Sequence, residues 1–223
     1  MFKSDTKIAT MLEIKVFTFN MFGVNTYVVW NPDTKEAAII DPGMFNEREQ
    51  KKIDNFITGN GLKVTNLINT HMHLDHIFGD IWVKNRYGVE VEASPEDEFL
   101  GRQAPAQARM FNLPISAEAV EIDRPLHEGD QLNIGGEEVT VLSVPGHSPG
   151  SLVLYFPKSG WAITGDVLFQ GSIGRTDLVA GNYKLLIDGI NKKLLTLPDS
   201  TIVFPGHGNP TSIGQEKSSN PYI

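Results

Sequence analysis

The feature that most constrains this chain is a cluster of four ligand-capable side chains within six residues. It reads His71-x-His73-x-Asp75-His76 and closely follows the apolar run 64–68, which is typical of a short strand. Imidazole and carboxylate groups bind zinc and iron well. A lone histidine is more often a satisfied surface or core residue than a ligand, but four such groups at this spacing favour a metal site. The cluster therefore predicts a metal-binding loop at the end of a strand.

Three more ligand-capable residues each follow an apolar, strand-like run and a glycine. They are His147, Asp166 and His207, which come after Gly146, Gly165 and Gly206 respectively. Taken singly, each is as good a turn residue as a ligand, since glycine is common in tight turns. Together with the first cluster they make a set of five histidines and two aspartates. Such a set can hold two adjacent metal ions with open positions for water, which is the arrangement of a metal-dependent hydrolase.

The length of 223 residues suits one large domain with a substantial core. No run rich in proline, glycine and serine marks a linker, so we predict a single domain over residues 11–223. Residues 1–10 are predicted to be a flexible N-terminal extension, because the first strand-like run begins after Met11.

The net charge and the cysteine content limit which binding partners and which cellular compartment we expect. The formal net charge of -8 argues against a nucleic acid or an anionic membrane as partner, because both favour a basic surface. The sequence has no cysteine, which excludes disulfides, thiolate metal sites and cysteine nucleophiles and suits a reducing compartment. Neither a signal peptide nor an apolar run of roughly 18 residues is present. We therefore predict a cytoplasmic protein.

The hydrophobic pattern predicts strands interrupted by helices. Strands are expected at 12–19, 26–30, 37–40, 64–68, 89–92, 139–144, 152–156, 161–164 and 201–204. Helices are expected at 47–58, 77–87, 183–197 and over part of 96–111, where Pro105 must break or kink the helix. This order of elements favours two sheets covered by helices.

The four motifs resemble those of the metallo-β-lactamase superfamily, over residues 11–210. That resemblance implies an α+β fold, the four-layer αββα sandwich, with the metal site at one edge. The segment 165–177, GDVLFQGSIGRTD, resembles the glyoxalase II-like branch of small, single-domain bacterial hydroxyacylglutathione hydrolases. It is almost as similar to the persulfide dioxygenases.

The resemblance also implies a ligand set. The first metal ion would be held by His71, His73 and His147, the second by Asp75, His76 and His207, with Asp166 bridging them. Asp75 and Asp166 are the candidate catalytic residues, because either carboxylate can carry a proton while it remains a ligand. Two divalent ions are expected, with zinc favoured and iron or manganese also suited to these donors.

The implied reaction is hydrolysis of a hydroxyacyl-glutathione or related thioester to a hydroxy acid and a thiol. A thiolate leaves without a strong general acid, and none is evident outside the ligand set. Arg175 falls where glyoxalase II places a basic residue for the terminal carboxylate of the substrate, whereas the aromatic contact expected after it falls near Asp177. Larger glyoxalase II enzymes complete the glutathione pocket with a C-terminal helical domain, for which the sequence after His207 leaves no room.

Four positions outside the ligand set are weaker candidates. Asp41, in an Asp-Pro-Gly segment, is expected to form a turn, with a partner that orients a ligand histidine as the alternative. His127 is expected to be a surface loop residue. Met110 and Phe111 are expected to pack in the core or in a lid, with the lining of a substrate entrance as the alternative.

Other functions remain open at this point. A mononuclear-iron persulfide dioxygenase could use His71, His147 and Asp166 as its facial triad, and metal stoichiometry would distinguish it. A phosphodiesterase or nuclease of the same superfamily is disfavoured by the acidic charge and the lack of a basic arm. A β-lactamase of the common dinuclear type would have a cysteine in place of Asp166. The sequence leaves the exact substrate, the metal and the oligomeric state open.

Overall fold

The computed structural model describes residues 11–113 and 117–223, so the predicted extension at residues 1–10 lies outside the described residues. Fourteen strands are described: β1 (Glu13–Phe19), β2 (Val24–Trp30), β3 (Glu36–Ile40), β4 (Lys63–Ile68), β5 (Val91–Ala93), β6 (Arg124–Pro125), β7 (Gln131–Ile134), β8 (Glu137–Ser143), β9 (Leu152–Phe156), β10 (Trp161–Gly165), β11 (Leu168–Phe169), β12 (Ser172–Ile173), β13 (Ile202–Pro205) and β14 (Thr211–Ser212).

Seven α-helices accompany them: α1 (Glu47–Gly59), α2 (Leu74–Ile77), α3 (Asp80–Tyr87), α4 (Glu98–Arg102), α5 (Ala104–Met110), α6 (Tyr183–Gly189) and α7 (Ile213–Ser219). A 3-10 turn, Pro95–Asp97, precedes α4, and a π-helical segment, Ile190–Leu194, continues α6.

The strands form two six-stranded mixed sheets and a small hairpin of β11 and β12. The first sheet has the order β1-β2-β3-β4-β5-β6, antiparallel from β1 to β3 and parallel from β3 to β6. The second has the order β14-β13-β10-β9-β8-β7, in which only β10 and β13 are parallel.

Successive side chains along the strands of the first sheet point alternately to its two faces, and both faces are apolar. Val28 and Ile39 belong to a core cluster with Ile53 of α1, on the outer face of the sheet. Their neighbours Val29 and Ile40 belong to a second cluster that lies between the two sheets. Successive side chains of a strand point to opposite faces, so β2 and β3 are buried on both.

The second sheet is built in the same way. Leu154 and Ile163 face the first sheet, whereas Val153 and Ala162 pack against the outer layer, which includes Leu186 of α6. The layers are therefore helix, sheet, sheet and helix, and the predicted α+β, αββα sandwich is confirmed.

The boundaries differ from the predicted ones where glycine or proline changes the chain direction. The predicted helix 77–87 is shortened to α3, and Ile77 instead ends the preceding helix α2; between the two helices, the Gly79 N–H donates to the Pro42 carbonyl at 2.6 Å. Pro105 lies in the first turn of α5, where a missing N–H costs nothing, and the predicted break falls at Gln103. The predicted strand 89–92 is shifted to Val91–Ala93.

The described helices include none that is both long enough and apolar enough to span a membrane.

Ligand-capable loops follow the carboxyl ends of β4, β8, β10 and β13. The edge is closed by bonds between the sheets: Leu152 N–H donates to the Thr70 carbonyl at 2.7 Å, and the Tyr27 hydroxyl donates to the Pro205 carbonyl at 2.6 Å. The fold therefore brings the loops of both sheets to one edge of the sandwich.

Candidate metal centre

Three histidines form the first ligand-capable group, called here the three-histidine group: His71, His73 and His147. Their ligand atoms lie within 4.8 Å of one another, and His73 Nδ1 is 2.8 Å from His147 Nε2. The Nε2 atom of His71 is buried and has no hydrogen-bond partner in the described part of the chain. Three imidazole lone pairs thus converge where a cation would satisfy them.

The second group, called the aspartate-containing group, consists of Asp75, His76 and His207. Its ligand atoms also lie within 4.8 Å of one another, with His207 Nε2 3.2 Å from Asp75 Oδ2 and His76 Nε2 3.8 Å from the same oxygen. The buried Nε2 of His76 has no hydrogen-bond partner among residues 11–113 and 117–223. This group also offers an incomplete coordination shell.

Asp166 lies between the two groups. Its Oδ2 is 3.5 Å from His147 Nε2 and 3.6 Å from His207 Nε2, and its Oδ1 is 3.5 Å from His76 Nε2. Oδ1 is buried and has no hydrogen-bond partner within the described ranges. A Cβ at Gly206 would collide with Oδ1, so the glycine before His207 makes the space that this carboxylate occupies. The donor set and its unpartnered buried atoms fit two metal ions that share one carboxylate.

Burial keeps two imidazoles of the three-histidine group neutral, those of His71 and His73. It lowers the pKa of His71 well below the usual value, and the neighbouring histidines lower it further. Burial and the proximity of His147 and His76 lower the pKa of His73 to about 4. Neutral imidazole is the form that binds a metal ion, so these two side chains are ready to act as ligands at pH 7.

Carboxylates have the opposite effect in the aspartate-containing group. Burial disfavours the charged form of His76, but Asp75, Asp166 and Asp41 together outweigh it and raise its pKa well above the usual value. The pKa of His207 is raised as well, since Asp75 and Asp166 outweigh its burial. Burial opposes ionisation of Asp75 and Asp166 too, yet the adjacent imidazoles hold the pKa of both carboxyls below the usual range.

A buried carboxylate, Asp41, orients one histidine in each group. Its Oδ2 accepts from His76 Nδ1 at 3.0 Å and from the Thr70 hydroxyl at 2.6 Å, and its Oδ1 accepts from Thr70 N–H at 2.7 Å. The Thr70 hydroxyl in turn lies 3.2 Å from His71 Nδ1 and can accept from it. Asp41, His71 and His76 also converge, but these bonds already occupy Asp41. Its geometry matches the orienting alternative and not that of a simple turn former.

Main-chain carbonyls orient two further ligand candidates. His147 Nδ1 lies 2.8 Å from the Arg175 carbonyl, and His207 Nδ1 lies 3.1 Å from the Phe22 carbonyl. Each imidazole then donates through Nδ1 and leaves Nε2 facing the centre, which is the usual arrangement around metal-ligating histidines.

A family model agrees with this geometry. The model of the metallo-beta-lactamase superfamily matches residues 20–207, which contain all seven ligand candidates. The chain belongs to the metallo-beta-lactamase superfamily. The predicted family is therefore confirmed, and with it the prediction of a metal-dependent hydrolase.

Relatives of this superfamily cover nearly the whole chain. The chain is 42% identical over 214 residues to the hydroxyacylglutathione hydrolase GloC of Haemophilus influenzae, covering 95% of this chain and 98% of that protein. It is similar to the crystal structure of the BLEG-1 B3 metallo-beta-lactamase, with a TM-score of 0.85, 36% identity and coverage of 94% and 99%. It is also similar to TTHA1623 in a di-iron-bound form, with a TM-score of 0.81, 34% identity and coverage of 94% and 100%.

Sequence reasoning missed Asp97, a fully buried carboxylate that joins the loop after β4 to the loop after β8. Its Oδ2 accepts from Met72 N–H at 3.1 Å and from the Ser148 hydroxyl at 2.7 Å, and its Oδ1 accepts from Gly150 N–H at 2.7 Å. It thereby fixes the neighbours of His71 and His147 relative to each other. Two of the three donors are backbone groups, so no sequence signal pointed to this residue.

A cavity of about 1390 Å³ opens above the centre. Its floor includes His73, Asp75, His147, Asp166 and His207, and its walls are largely apolar. Met110 and Phe111 line this cavity and are 73% and 55% exposed, so they do not pack in the core and their position agrees with the alternative, the lining of an entrance. His127 lies in an exposed loop, as predicted.

Arg175, the predicted substrate contact, also lines the cavity, but it is already paired. Its Nε lies 2.9 Å from Asp177 Oδ1, and its Nη2 lies 2.9 Å from Asp177 Oδ2. The position where an aromatic contact was expected thus carries the ion-pair partner of the arginine.

Proposed function

We propose that this metal-dependent hydrolase is a thioesterase of the glyoxalase II type, which converts a hydroxyacyl-glutathione or a related thioester to a hydroxy acid and a thiol. The observation that carries the proposal is the position of Asp166, whose carboxylate faces both ligand groups at the floor of a large open cavity. The 42% identity to a hydroxyacylglutathione hydrolase supports the same reaction class.

The proposed ligands follow the two groups. His71, His73 and His147 would hold one ion, Asp75, His76 and His207 the other, and Asp166 would bridge them. Zinc is our first expectation, and iron or manganese suits the same donors. Bound divalent ions supply a Lewis acid and lower the pKa of water, the chemistry that a hydrolase needs at neutral pH.

The side chains of the chain itself handle protons and position the substrate. Asp75 and Asp166 line the cavity and have lowered pKa values, so both are ionised at pH 7 and can accept a proton at a carboxylate oxygen. A thiol with a pKa of about 8.5 leaves as its thiolate without a strong acid, which suits a site whose nearest titratable groups are all ligand candidates. Asp41 would act as a positioning residue through His76 and Thr70.

One experiment tests this proposal against the persulfide dioxygenase. The measurements are metal content per chain, after purification without added metal, and hydrolysis of S-lactoylglutathione. We expect close to two ions and hydrolysis, both greatly reduced in His71→Ala and unchanged in His127→Ala, a matched change of an exposed histidine. One iron per chain, no hydrolysis and oxygen uptake with a persulfide would overturn the thioesterase.

A second candidate activity is β-lactam hydrolysis, favoured by the similarity to the BLEG-1 B3 metallo-beta-lactamase. The lack of cysteine argues only against enzymes that use a cysteine in place of Asp166. Hydrolysis of a cephalosporin by the same preparation, lost in His71→Ala, would establish it. No hydrolysis of the cephalosporin by a two-metal preparation that cleaves the thioester would exclude it.

A further inference from the structure

One permanently charged basic side chain is found among the described residues that line the cavity. Arg175 is the only lysine or arginine among the described residues that line it. Many of the other lining residues are apolar, among them Leu74, Leu100, Met110, Phe111, Val179 and Tyr183. The neutral polar ones include Gln103, Gln107, Gln170 and Asn209. Away from the metal centre at the floor of the cavity, Arg175 is therefore the cationic side chain among the described lining residues that a substrate carboxylate can pair with.

The segment that carries Arg175 is held in place. The Arg175 carbonyl faces His147 Nδ1 at 2.8 Å, which links this backbone to the metal centre. Upstream, Gly171 N–H donates to Glu216 Oε2 at 2.8 Å, and the Asn220 side chain donates to the Ser172 carbonyl at 3.0 Å. The C-terminal helix α7 and its cap residue Asn220 thus anchor the hairpin that leads to Arg175, so the backbone of Arg175 is fixed beside the cavity.

Asp177 occupies the guanidinium edge that a carboxylate would use. Both of its oxygens face Arg175, through Nε and Nη2 at 2.9 Å each, which is the paired geometry that an arginine makes with a substrate carboxylate. A carboxylate at the remaining edge would still lie close to the negative charge of Asp177. Both side chains are well exposed, so solvent screens the pair and the effect on binding is moderate.

We propose that Asp177 is a specificity-determining residue. By pairing with Arg175, it disfavours the binding of thioesters whose thiol part places a carboxylate at the cavity rim. Neutral thioesters of similar size would then be used relatively better than the glutathione thioester. The kinetic part of this inference rests on the proposed function. The binding part does not, because it requires only that the cavity takes up the ligand.

The test compares Asp177→Asn with the wild type on two ligands that differ at their carboxyl groups, which are free in one and esterified in the other. The substrates are S-lactoylglutathione and its diethyl ester, in which both carboxylates are esterified. We expect Asp177→Asn to lower the KM of the acid by about threefold to fivefold and to change that of the ester by less than about twofold. Adding Arg175→Gln to this variant should raise the KM of the acid again.

Asp54→Asn is the matched control. Asp54 holds Arg86 with the same two-bond geometry, at 2.9 and 3.1 Å, between α1 and α3 on the outer face of the first sheet. Its removal changes the net charge by the same amount without touching the cavity. An equal fall in KM for the acid in Asp54→Asn would show that net charge alone acts, and would overturn the assignment to Asp177.

A binding measurement separates this inference from the proposed function. The Kd of S-hexylglutathione and of its diethyl ester is measured by calorimetry on metal-loaded wild type and Asp177→Asn. A lower Kd for the acid alone supports the inference even if no thioester is hydrolysed, an outcome in which only the proposed function fails. Equal changes for both ligands, or none, overturn the inference even if hydrolysis is fast.

Discussion

The two halves of the metal centre contain similar donors at similar distances but differ in how they treat a proton. In the three-histidine group, burial and neighbouring imidazoles lower the pKa of His71 and His73. In the aspartate-containing group, nearby carboxylates raise the pKa of His76 and His207 despite burial. The same side chain is therefore ready to bind a cation in one half and binds a proton more tightly in the other. The difference teaches that the carboxylates among the ligand candidates, together with Asp41 beside them, set the proton cost of metal binding at a histidine.

The largest expected effect comes from removing the residue that the two halves share. Asp166→Ala should lower thioester hydrolysis by more than about 100-fold and reduce the metal content, because the carboxylate faces both groups. Kinetics and metal analysis on the same preparation check this. A variant that retains both ions and full activity would remove Asp166 from the centre.

Lowering the pH should weaken metal binding more in the aspartate-containing group than in the three-histidine group. His76 and His207 have raised pKa values, so a metal ion must displace up to two protons there, and affinity should fall by up to about 100-fold per pH unit below those values. His71 and His73 hold no proton to displace at pH 6. Zinc titrations in buffers of different ionisation enthalpy, from pH 8 to pH 5, should show one ion lost first with proton uptake. Simultaneous loss of both ions would contradict the inferred difference in proton affinity between the two groups.

Asp41 and Thr70 can distinguish direct orientation from orientation through a hydroxyl. Asp41→Asn should weaken metal binding in both groups by about 10- to 100-fold, because Asp41 reaches His76 directly and His71 through Thr70. Thr70→Val keeps the shape and should affect mainly the three-histidine group. Cobalt spectra and metal titration report the two sites, and Asp130→Asn, in an exposed loop, serves as control.

The smallest effect is expected at Asp97, whose three hydrogen-bond donors each lie within three residues of a member of the three-histidine group. Asp97→Asn replaces one accepting carboxylate oxygen by an NH2 group, which cannot accept the hydrogen bonds that the three neighbouring groups donate. The change should lower the free energy of unfolding by about 1 to 3 kcal/mol. Affinity in the three-histidine group should fall by about tenfold, whereas the other group stays as in the wild type. Thermal unfolding of metal-free protein and metal titration measure the two effects separately. An equal loss in both groups would contradict a role confined to one half.

The layered fold could be predicted because burial leaves a clear pattern. The strand-like runs 26–30 and 37–40 are buried on both faces, and glycine after a strand marks the loops that carry His147, Asp166 and His207. Short elements that depend on tertiary contacts were not predictable: among the described strands β14 pairs with β13 alone, and α7 is fixed through Glu216.

The candidate site was predictable as a set of side chains but not as a network. Its ligand candidates are titratable residues in recognisable spacing, whereas the partners that orient them are often backbone groups, such as the Phe22 carbonyl beside His207. Arg175 shows the same limit. Its residue type fits a carboxylate contact, but the pairing with Asp177 depends on side-chain conformations that the sequence pattern does not specify.

The seven ligand candidates are divided between the two sheets, with those before residue 77 on loops of the first and those after residue 146 on loops of the second. A centre with bound metal ions would thus cross-link the two sheets of the sandwich. Metal binding adds stability in proportion to the logarithm of free metal over its dissociation constant. Chelation should therefore lower the melting temperature and also speed unfolding, with separation of the sheets beginning at this edge. The resistance of the protein to proteolysis would then follow the metal supply of its environment.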